Sequence, residues 1–198
     1  MTGGALTGAD PTASQLAGAK QAARAAAFAR RRAAHAADTG AGAARLSELL
    51  ARHRGVPVAG YLPIRTEIDP RPAMAEAAAH GAVSVPVIQA PGTPLRFALW
   101  EPDMPLVPGP FGARIPADPV WSVPEILIVP LVAFTGTGRR LGYGGGYYDR
   151  TLQQLRARGP VLAAGFAYGD QRTETLPFDP NDQPLDMVVT DRDILSFP

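Results

Sequence analysis

The sequence predicts an α/β fold: a single three-layer α/β/α domain with a largely parallel, Rossmann-like central sheet. Short apolar runs rich in β-branched residues alternate with stretches of helical spacing, which is typical of a parallel sheet covered on both faces. The length of 198 residues suits one well-buried domain. A glycine-rich segment, RRLGYGGGYYDR at residues 139–150, stands between a predicted strand and a predicted helix.

The first part of the chain is predicted to be a leader followed by two helices. Residues 1–13 are small, polar and glycine-rich, so we expect a disordered leader before a single folded domain at 14–198. Alanine favours a helix from about Ser14 to Ala37. Leucines recurring along one face predict a second helix from about Ala43 to His53.

The remaining elements follow from apolar runs, prolines and glycines. The expected strands are Val56–Leu62, Val83–Ile88, Leu95–Trp100, Glu125–Pro130, Val161–Tyr168 and Asp186–Thr190. The expected helices are Pro70 to about His80, capped by Asp69, and Tyr147 to Arg158. Residues 101–124 are predicted to be a long, proline-punctuated loop, which at that length is usually functional or mobile.

Composition excludes several classes of function. A net charge of +1 argues against a nucleic-acid partner held by electrostatics, and the absence of cysteine excludes disulfides, thiolate metal sites and cysteine nucleophiles. No apolar run approaches the roughly 20 residues that span a bilayer, and the N-terminus lacks a secretory signal, so we expect no membrane contact and a soluble, cytoplasmic protein. Residues 16–37 also have the composition of a transit peptide, although a functional helix is the preferred interpretation.

The glycine-rich segment is predicted to bind phosphate. Glycines fill four of five positions, Gly142, Gly144, Gly145 and Gly146. Glycine adds no apolar area, so this cluster serves a backbone shape. A strand, a glycine loop and a helix N-terminus together direct backbone N–H groups at an anion. A tight turn is the plain alternative, but the flanking arginines and tyrosines exceed what a turn requires.

Two further groups complete a site for a magnesium nucleotide. Lys20 is the single lysine beside eighteen arginines, which hints at a role for a compact ammonium, although chance retention on a solvated face is the alternative. Asp149 and Asp186 are candidate ligands for Mg²⁺, which takes one or two carboxylates plus phosphate oxygens. Each aspartate alone could be merely structural. The combination favours a phosphoryl-transfer or ATP-dependent enzyme.

The segment Val129–Leu152, VPLVAFTGTGRRLGYGGGYYDRTL, resembles the signature of the 5-formyltetrahydrofolate cyclo-ligase family, the methenyltetrahydrofolate synthetases. Weaker matches fall in the family's order from about residue 18 onward. They are Lys20 with Arg24, Tyr61-Leu62 followed by Glu67, Phe111-Gly112, and the ending Asp182-x-x-x-Asp186-x-Val-Val-Thr190.

The resemblance implies roles for individual residues. ATP would contact Lys20, Arg24, Arg140, Leu141, Gly142, Tyr143, Gly144, Gly145, Gly146, Tyr147 and Tyr148. The folate substrate, 5-formyltetrahydrofolate, would contact Leu62, Glu67, Tyr143, Gly144, Gly145, Gly146 and Tyr147. Mg²⁺ would be held at Asp149 and Asp186, and the catalytic residues would be Lys20, Arg140 and Tyr147. We expect a monomer.

The resemblance also implies a reaction. The γ-phosphate of ATP would pass to the oxygen of the N5-formyl group, and N10 of the same molecule would attack the resulting iminium phosphate. The products would be 5,10-methenyltetrahydrofolate, ADP and phosphate. Because the nucleophile belongs to the substrate, the lack of an evident serine, cysteine or histidine nucleophile agrees with this chemistry.

Two positions depart from the family pattern. Thr135 follows Phe134 where an aspartate is common, and Ile115 precedes Pro116 where a glutamate is common. Thr135 keeps open a non-catalytic member of the same fold that binds nucleotide or folate. A more remote alternative is a sugar-phosphate isomerase on a related scaffold, which would need no ATP.

Overall fold

The computed structural model describes residues 12–198. The helices are α1 (Ala13–Ala36), α2 (Ala41–Ala51), α3 (Arg71–Ala78) and α4 (Tyr147–Arg156). The first six strands are β1 (Val58–Ala59), β2 (Val83–Val87), β3 (Arg96–Leu99), β4 (Leu106–Pro108), β5 (Arg114–Pro116) and β6 (Trp121–Ser122). The other six are β7 (Ile126–Pro130), β8 (Ala133–Phe134), β9 (Arg140–Leu141), β10 (Leu162–Phe166), β11 (Met187–Val189) and β12 (Ile194–Ser196).

Eight strands form one sheet in the order β12-β11-β10-β7-β1-β2-β3-β6. The five inner strands from β11 to β2 run parallel. At the edges, β12, β3 and β6 each pair antiparallel with the preceding strand of the sheet, so β12 and β3 run opposite to the inner strands. The predicted α/β class with a largely parallel sheet is therefore confirmed.

Helices cover both faces of the sheet, and strand β7 shows why. Its residues Ile126 and Ile128 pack with the leucines of α2 on one face, while Leu127 and Val129 pack with α4 on the other. Successive side chains of a strand point to opposite faces, so a strand buried on both sides reads as a continuous apolar run. The three-layer arrangement follows from this.

The prediction was wrong for residues 101–124, which are not a structureless loop. Strands β4 and β5 form a hairpin there, and β6 adds the edge strand of the main sheet. A second hairpin, β8 with β9, follows β7, and β9 lies within the first residues of the glycine-rich segment. Strand β12 follows the predicted final strand. These strands have two or three residues, too few for alternation to be visible in the sequence.

The helix starts also differ from the prediction. Thr12 is the N-cap of α1, where its hydroxyl accepts from the N–H of Gln15 in a capping box. Residues 12 and 13 of the predicted leader therefore belong to the start of α1, and residues 1–11 lie outside the described part of the chain. Helix α3 begins one residue later than predicted, at Arg71, whose N–H donates to Asp69 at 2.9 Å. Within residues 12–198, no helix is both long and apolar enough to cross a membrane.

The sheet topology defines where a ligand should bind. Strand β1 lies between β2 and β7, and the chain leaves β1 and β7 toward opposite edges of the sheet. In open α/β sheets ligands bind outside the carboxyl ends of the strands at such a switch point. The segment leading to Glu67 follows β1, and the hairpin leading to the glycine-rich segment follows β7.

Candidate active site

The glycine-rich segment forms a bend that opens onto the N-terminus of α4. Gly144 and Gly146 have φ angles of 105° and 63°, in the left-handed region that favours glycine. Gly146 is also the N-cap of α4 and provides no side-chain cap. The first N–H groups of α4 thus have no side-chain acceptor at the cap, and a phosphate oxygen is a suitable acceptor for them.

Helix α1 brings both predicted basic residues to this region. Arg24 Nε donates to the carbonyl oxygen of Gly142 at 2.8 Å, so the helix is tied directly to the bend. Lys20, one turn earlier, forms an ion pair with Asp182 at 2.6 Å, and its side chain is 16% exposed. The lone lysine is therefore a partly buried, partnered group rather than a solvated one.

Arg140 and Asp149 hold the two ends of the bend together. Arg140 Nη2 lies 2.7 Å from Asp149 Oδ1, and the Arg140 side chain is 4% exposed. Desolvation lowers the pKa of Arg140, whereas the charges of Asp149 and Asp182 raise it. Among the described residues the buried Arg140 Nε has no hydrogen-bond partner. A buried guanidinium with a spare donor fits an anionic oxygen.

The two predicted metal ligands are close to opposite ends of α4: Asp149 belongs to the helix, whereas Asp186 contacts it from outside. Asp149 is in its first turn and accepts from Arg140 and from the Gln183 N–H, both through Oδ1. Asp186 instead pairs with Arg156 in the last turn, and its Oδ2 also accepts from the Ala163 N–H. Within residues 12–198, no group of three or more His, Asp or Glu side chains could hold a metal ion. The metal roles of both aspartates remain predictions.

A buried carboxylate forms the second half of the site. Glu67 is 6% exposed and its Oε2 accepts from the Ile64 N–H at 2.8 Å. Burial raises the pKa of Glu67, while the Ile64 N–H, the Tyr143 hydroxyl and the charges of Arg31 and Arg65 act to lower it. Glu67 can therefore accept hydrogen bonds in a water-poor setting. The partly buried Leu62 packs nearby in the cluster around Met74 and Trp100.

Two tyrosines of the glycine-rich segment link the halves. Burial raises the pKa of Tyr143, the charge of Glu67 raises it further, and the charge of Arg31 lowers it. The hydroxyl of Tyr148 is buried and has no hydrogen-bond partner among the described residues. Burial raises the pKa of Tyr148, the charge of Glu67 raises it further, and Arg140 lowers it. The Tyr148 hydroxyl therefore lies within the electrostatic reach of both Glu67 and Arg140.

An aromatic side chain from outside the segment packs beside the helix start. The rings of Phe111 and Tyr147 have centroids 6.3 Å apart, and Phe111 is 71% exposed. Arg150 lies 5.6 Å from the Tyr147 ring on the same helix. Three sets of predicted residues therefore lie close together: those on α1, those in the loop after β1 and those in the glycine-rich segment, including Asp149. Asp186 instead lies beside Arg156, in the last turn of α4.

Arg31, which is 1% exposed, was not among the predicted site residues. A signal for it existed: Lys20, Arg24 and Phe28 follow one another at four-residue steps, and Arg31 continues the same helix face. Thr135 occupies the turn between β8 and β9, where its hydroxyl contacts that of Thr137 at 2.9 Å. It is 2% exposed, so this departure from the family pattern serves the hairpin turn.

The chain is similar to proteins of one known family. A family model described as the 5-formyltetrahydrofolate cyclo-ligase family matches residues 17–191. A 5-formyltetrahydrofolate cyclo-ligase of Haemophilus influenzae is 42% identical over 101 residues, which are 48% of this chain and 54% of that protein. One of Escherichia coli K12 is 48% identical over 66 residues, 33% of this chain and 36% of that protein. The chain thus spans about half or less of these curated relatives.

Two solved structures share the fold. The 5,10-methenyltetrahydrofolate synthetase of Aquifex aeolicus is 25% identical with a TM-score of 0.66, covering 91% of this chain and 92% of that one. The synthetase of Mycoplasma pneumoniae is 24% identical with a TM-score of 0.61, covering 87% and 99%. The second likeness supports the fold alone.

The left-handed backbone at Gly144 predicts that alanine destabilises the protein there but not at Gly18. Gly144→Ala places a Cβ at φ 105° and 3.3 Å from the Arg24 guanidinium, so we expect it to lower the free energy of unfolding by about 1–2 kcal/mol. Gly18→Ala is the control, because a Cβ there meets nothing within 4 Å and alanine favours the helix. Urea denaturation of both variants measures this; equal stabilities would contradict the strain.

Proposed function

The chain belongs to the 5-formyltetrahydrofolate cyclo-ligase family, and from this premise we propose that it converts 5-formyltetrahydrofolate and ATP to 5,10-methenyltetrahydrofolate, ADP and phosphate. One observation carries the proposal: a buried guanidinium beside a glycine bend and a buried carboxylate lie on the segments that follow β7 and β1 at the switch point of the sheet, and the charges of both act on the buried Tyr148 hydroxyl. The first suits a phosphate and the second suits the N–H groups of a pterin.

The phosphate half would be built from α1 and the glycine-rich segment. The open N-terminus of α4, the spare Nε of the buried Arg140 and the ammonium of Lys20 are all donors. Lys20 would exchange its carboxylate partner, Asp182, for phosphate oxygens. Arg24 would act partly through the bend, since its Nε already holds the Gly142 carbonyl.

The folate half would be built around Glu67. A pterin ring presents adjacent N–H donors, and the Glu67 carboxylate is an acceptor in a place where water competes poorly. Leu62 and Tyr143 would supply apolar contacts to the ring. Tyr147 would line the junction with the nucleotide, together with the exposed Phe111 beside it.

The residues present are compatible with a magnesium ion brought in by the nucleotide. Mg²⁺ keeps several waters and uses one or two carboxylates with substrate phosphates, so a dedicated cluster of acids is not required. Asp149 would be a ligand through Oδ2, since its bonds to Arg140 and Gln183 use Oδ1. Asp186 could bind the ion only after releasing Arg156. The ion would supply charge neutralisation on the phosphates.

In the proposed mechanism the chain positions groups rather than donating a nucleophile. The formyl oxygen and N10 belong to one substrate, so holding that substrate in the reactive conformation supplies much of the rate. Lys20 and Arg140 would stabilise the negative charge on the transferred phosphoryl group. The buried Tyr148 hydroxyl, under the influence of both Glu67 and Arg140, would face the junction where the two substrates meet.

The proposed activity predicts a direct optical assay. Purified protein supplied with Mg²⁺, ATP and 5-formyltetrahydrofolate should produce a methenyl compound that absorbs in the near ultraviolet. Leaving out ATP should abolish the signal, because no phosphate is transferred. Tight folate binding without turnover at saturating ATP would instead indicate a non-catalytic member of the family.

Removing the lone lysine should affect the nucleotide selectively. Lys20→Ala is expected to raise the KM for ATP about tenfold or more, because a charge-assisted contact to phosphate is lost. The KM for folate should change much less. Arg32→Ala on the exposed face of the same helix is the matched control. Equal KM values for ATP in Lys20→Ala and the parent protein would contradict the proposed contact between Lys20 and ATP.

The two predicted metal ligands can be separated by titration with Mg²⁺. Asp149→Asn should raise the Mg²⁺ concentration needed for half-maximal activity about tenfold, since one anionic ligand is lost. Asp186→Asn should do the same only if Asp186 leaves Arg156 for the ion. If neither variant changes the Mg²⁺ requirement, then both assignments are wrong.

A further inference from the structure

Arg31 is a buried charge without an assigned role. Its side chain lies on α1 and the residue is 1% exposed. Nε donates to the Thr66 hydroxyl at 3.1 Å, and the buried Nη1 has no hydrogen-bond partner among residues 12–198. A guanidinium removed from water is costly unless another charge or a ligand compensates it. We therefore expect the Arg31 side chain to have a role besides packing.

The surroundings of Arg31 belong to the folate half of the proposed site. The guanidinium carbon lies 5.2 Å from the centroid of the Phe28 ring and 5.3 Å from that of Tyr143. Those two rings are 5.6 Å apart. Thr66, the hydrogen-bond partner of Arg31, directly precedes Glu67 in the chain. One side chain thus joins helix α1, the loop after β1 and the glycine-rich segment.

We propose that Arg31 is a positioning residue for the substrate pocket, which holds the loop that carries Glu67 through its bond to Thr66 and fixes the Tyr143 ring against that loop. The inference rests on the proposed function, because it assumes that Glu67 receives the N–H groups of a pterin. It adds a residue that the family resemblance did not supply.

The groups that face Glu67 support this role. They are Arg31 from α1, Arg65 from the same loop, Tyr61 from the end of β1, Tyr143 from the glycine-rich segment and Tyr148 from α4. Arg65 is exposed, so solvent screens its charge. Arg31 is the buried cation of the set, and its charge opposes the desolvation of the carboxylate more than the charge of Arg65 does, after the hydrogen bonds from Ile64 and Tyr143.

The effect on pH dependence has a definite sign. Burial already raises the pKa of Glu67, and the charge of Arg31 opposes that rise. Without Arg31 the pKa of Glu67 should rise further, and the carboxyl group would then be protonated at a higher pH. A protonated carboxyl group loses acceptor capacity. Substrate binding should therefore weaken at neutral pH and recover as the pH is raised.

The test compares Arg31→Met, Arg31→Lys and Arg32→Met. Methionine keeps an unbranched stem against the two rings, lysine keeps the charge, and Arg32 is the exposed neighbour. For Arg31→Met we expect the KM for 5-formyltetrahydrofolate to rise about tenfold or more at neutral pH, with the KM for ATP nearly unchanged. The pH dependence of folate KM should move to higher pH. Arg31→Lys should restore most of the affinity, and Arg32→Met should match the parent protein.

Other outcomes overturn the inference. A purely structural Arg31 would lower the urea midpoint and weaken both substrates together, with no movement of the pH profile. Direct titration with 5-formyltetrahydrofolate separates the two proposals. If the parent protein does not bind the folate, the proposed function fails and this inference with it. If the parent and Arg31→Met bind it with the same affinity and pH dependence, only the inference about Arg31 fails.

Discussion

The ion pair between Arg140 and Asp149 is the constraint on which the site depends. The two residues lie at either end of the glycine bend, nine positions apart, and their charged atoms are 2.7 Å apart. The pair fixes the distance between the end of the β8–β9 hairpin and the first turn of α4. Because the Arg140 side chain is almost fully buried, the pair lies where a low dielectric strengthens it and where losing one partner is costly. The glycines between them allow the backbone conformations of the bend, and the ion pair holds the bend in the observed one.

The two halves of the site are coupled through residues that belong to both. Tyr143 and Tyr148 lie in the segment assigned to phosphate, yet their hydroxyls are in the field of Glu67. Glu67 in turn lies in the loop that follows β1, which the topology of the sheet places beside the segment. A substrate held on Glu67 and a nucleotide held on the bend would thus share the tyrosines between them. Such an arrangement would bring the two proposed substrates together without a covalent intermediate on the protein.

The fold was largely predictable, and the misses have a physical cause. The inner strands are apolar on both faces, so runs such as Ile126–Pro130 are visible in the sequence. Hairpins of two or three residues, such as β8 with β9, carry too little pattern to be seen. The glycine-rich segment and Lys20 were visible because their composition is unusual. Arg31 was harder to single out among eighteen arginines, because only its place on the helix face of Lys20, Arg24 and Phe28 marks it and burial itself is not visible in the sequence. The partner of Lys20 depends on contacts 162 residues apart, which periodicity does not reveal.

That long separation has a consequence for how the protein is made. The contact between Lys20 and Asp182 joins α1 to a loop that precedes β11. During synthesis, α1 emerges before most of the other described elements, and its ammonium can meet that carboxylate only after residue 182 has been made. The phosphate half is therefore completed later than the glycine bend itself. A nascent chain stalled before residue 182 would contain the glycine bend but lack the contact that places the lysine.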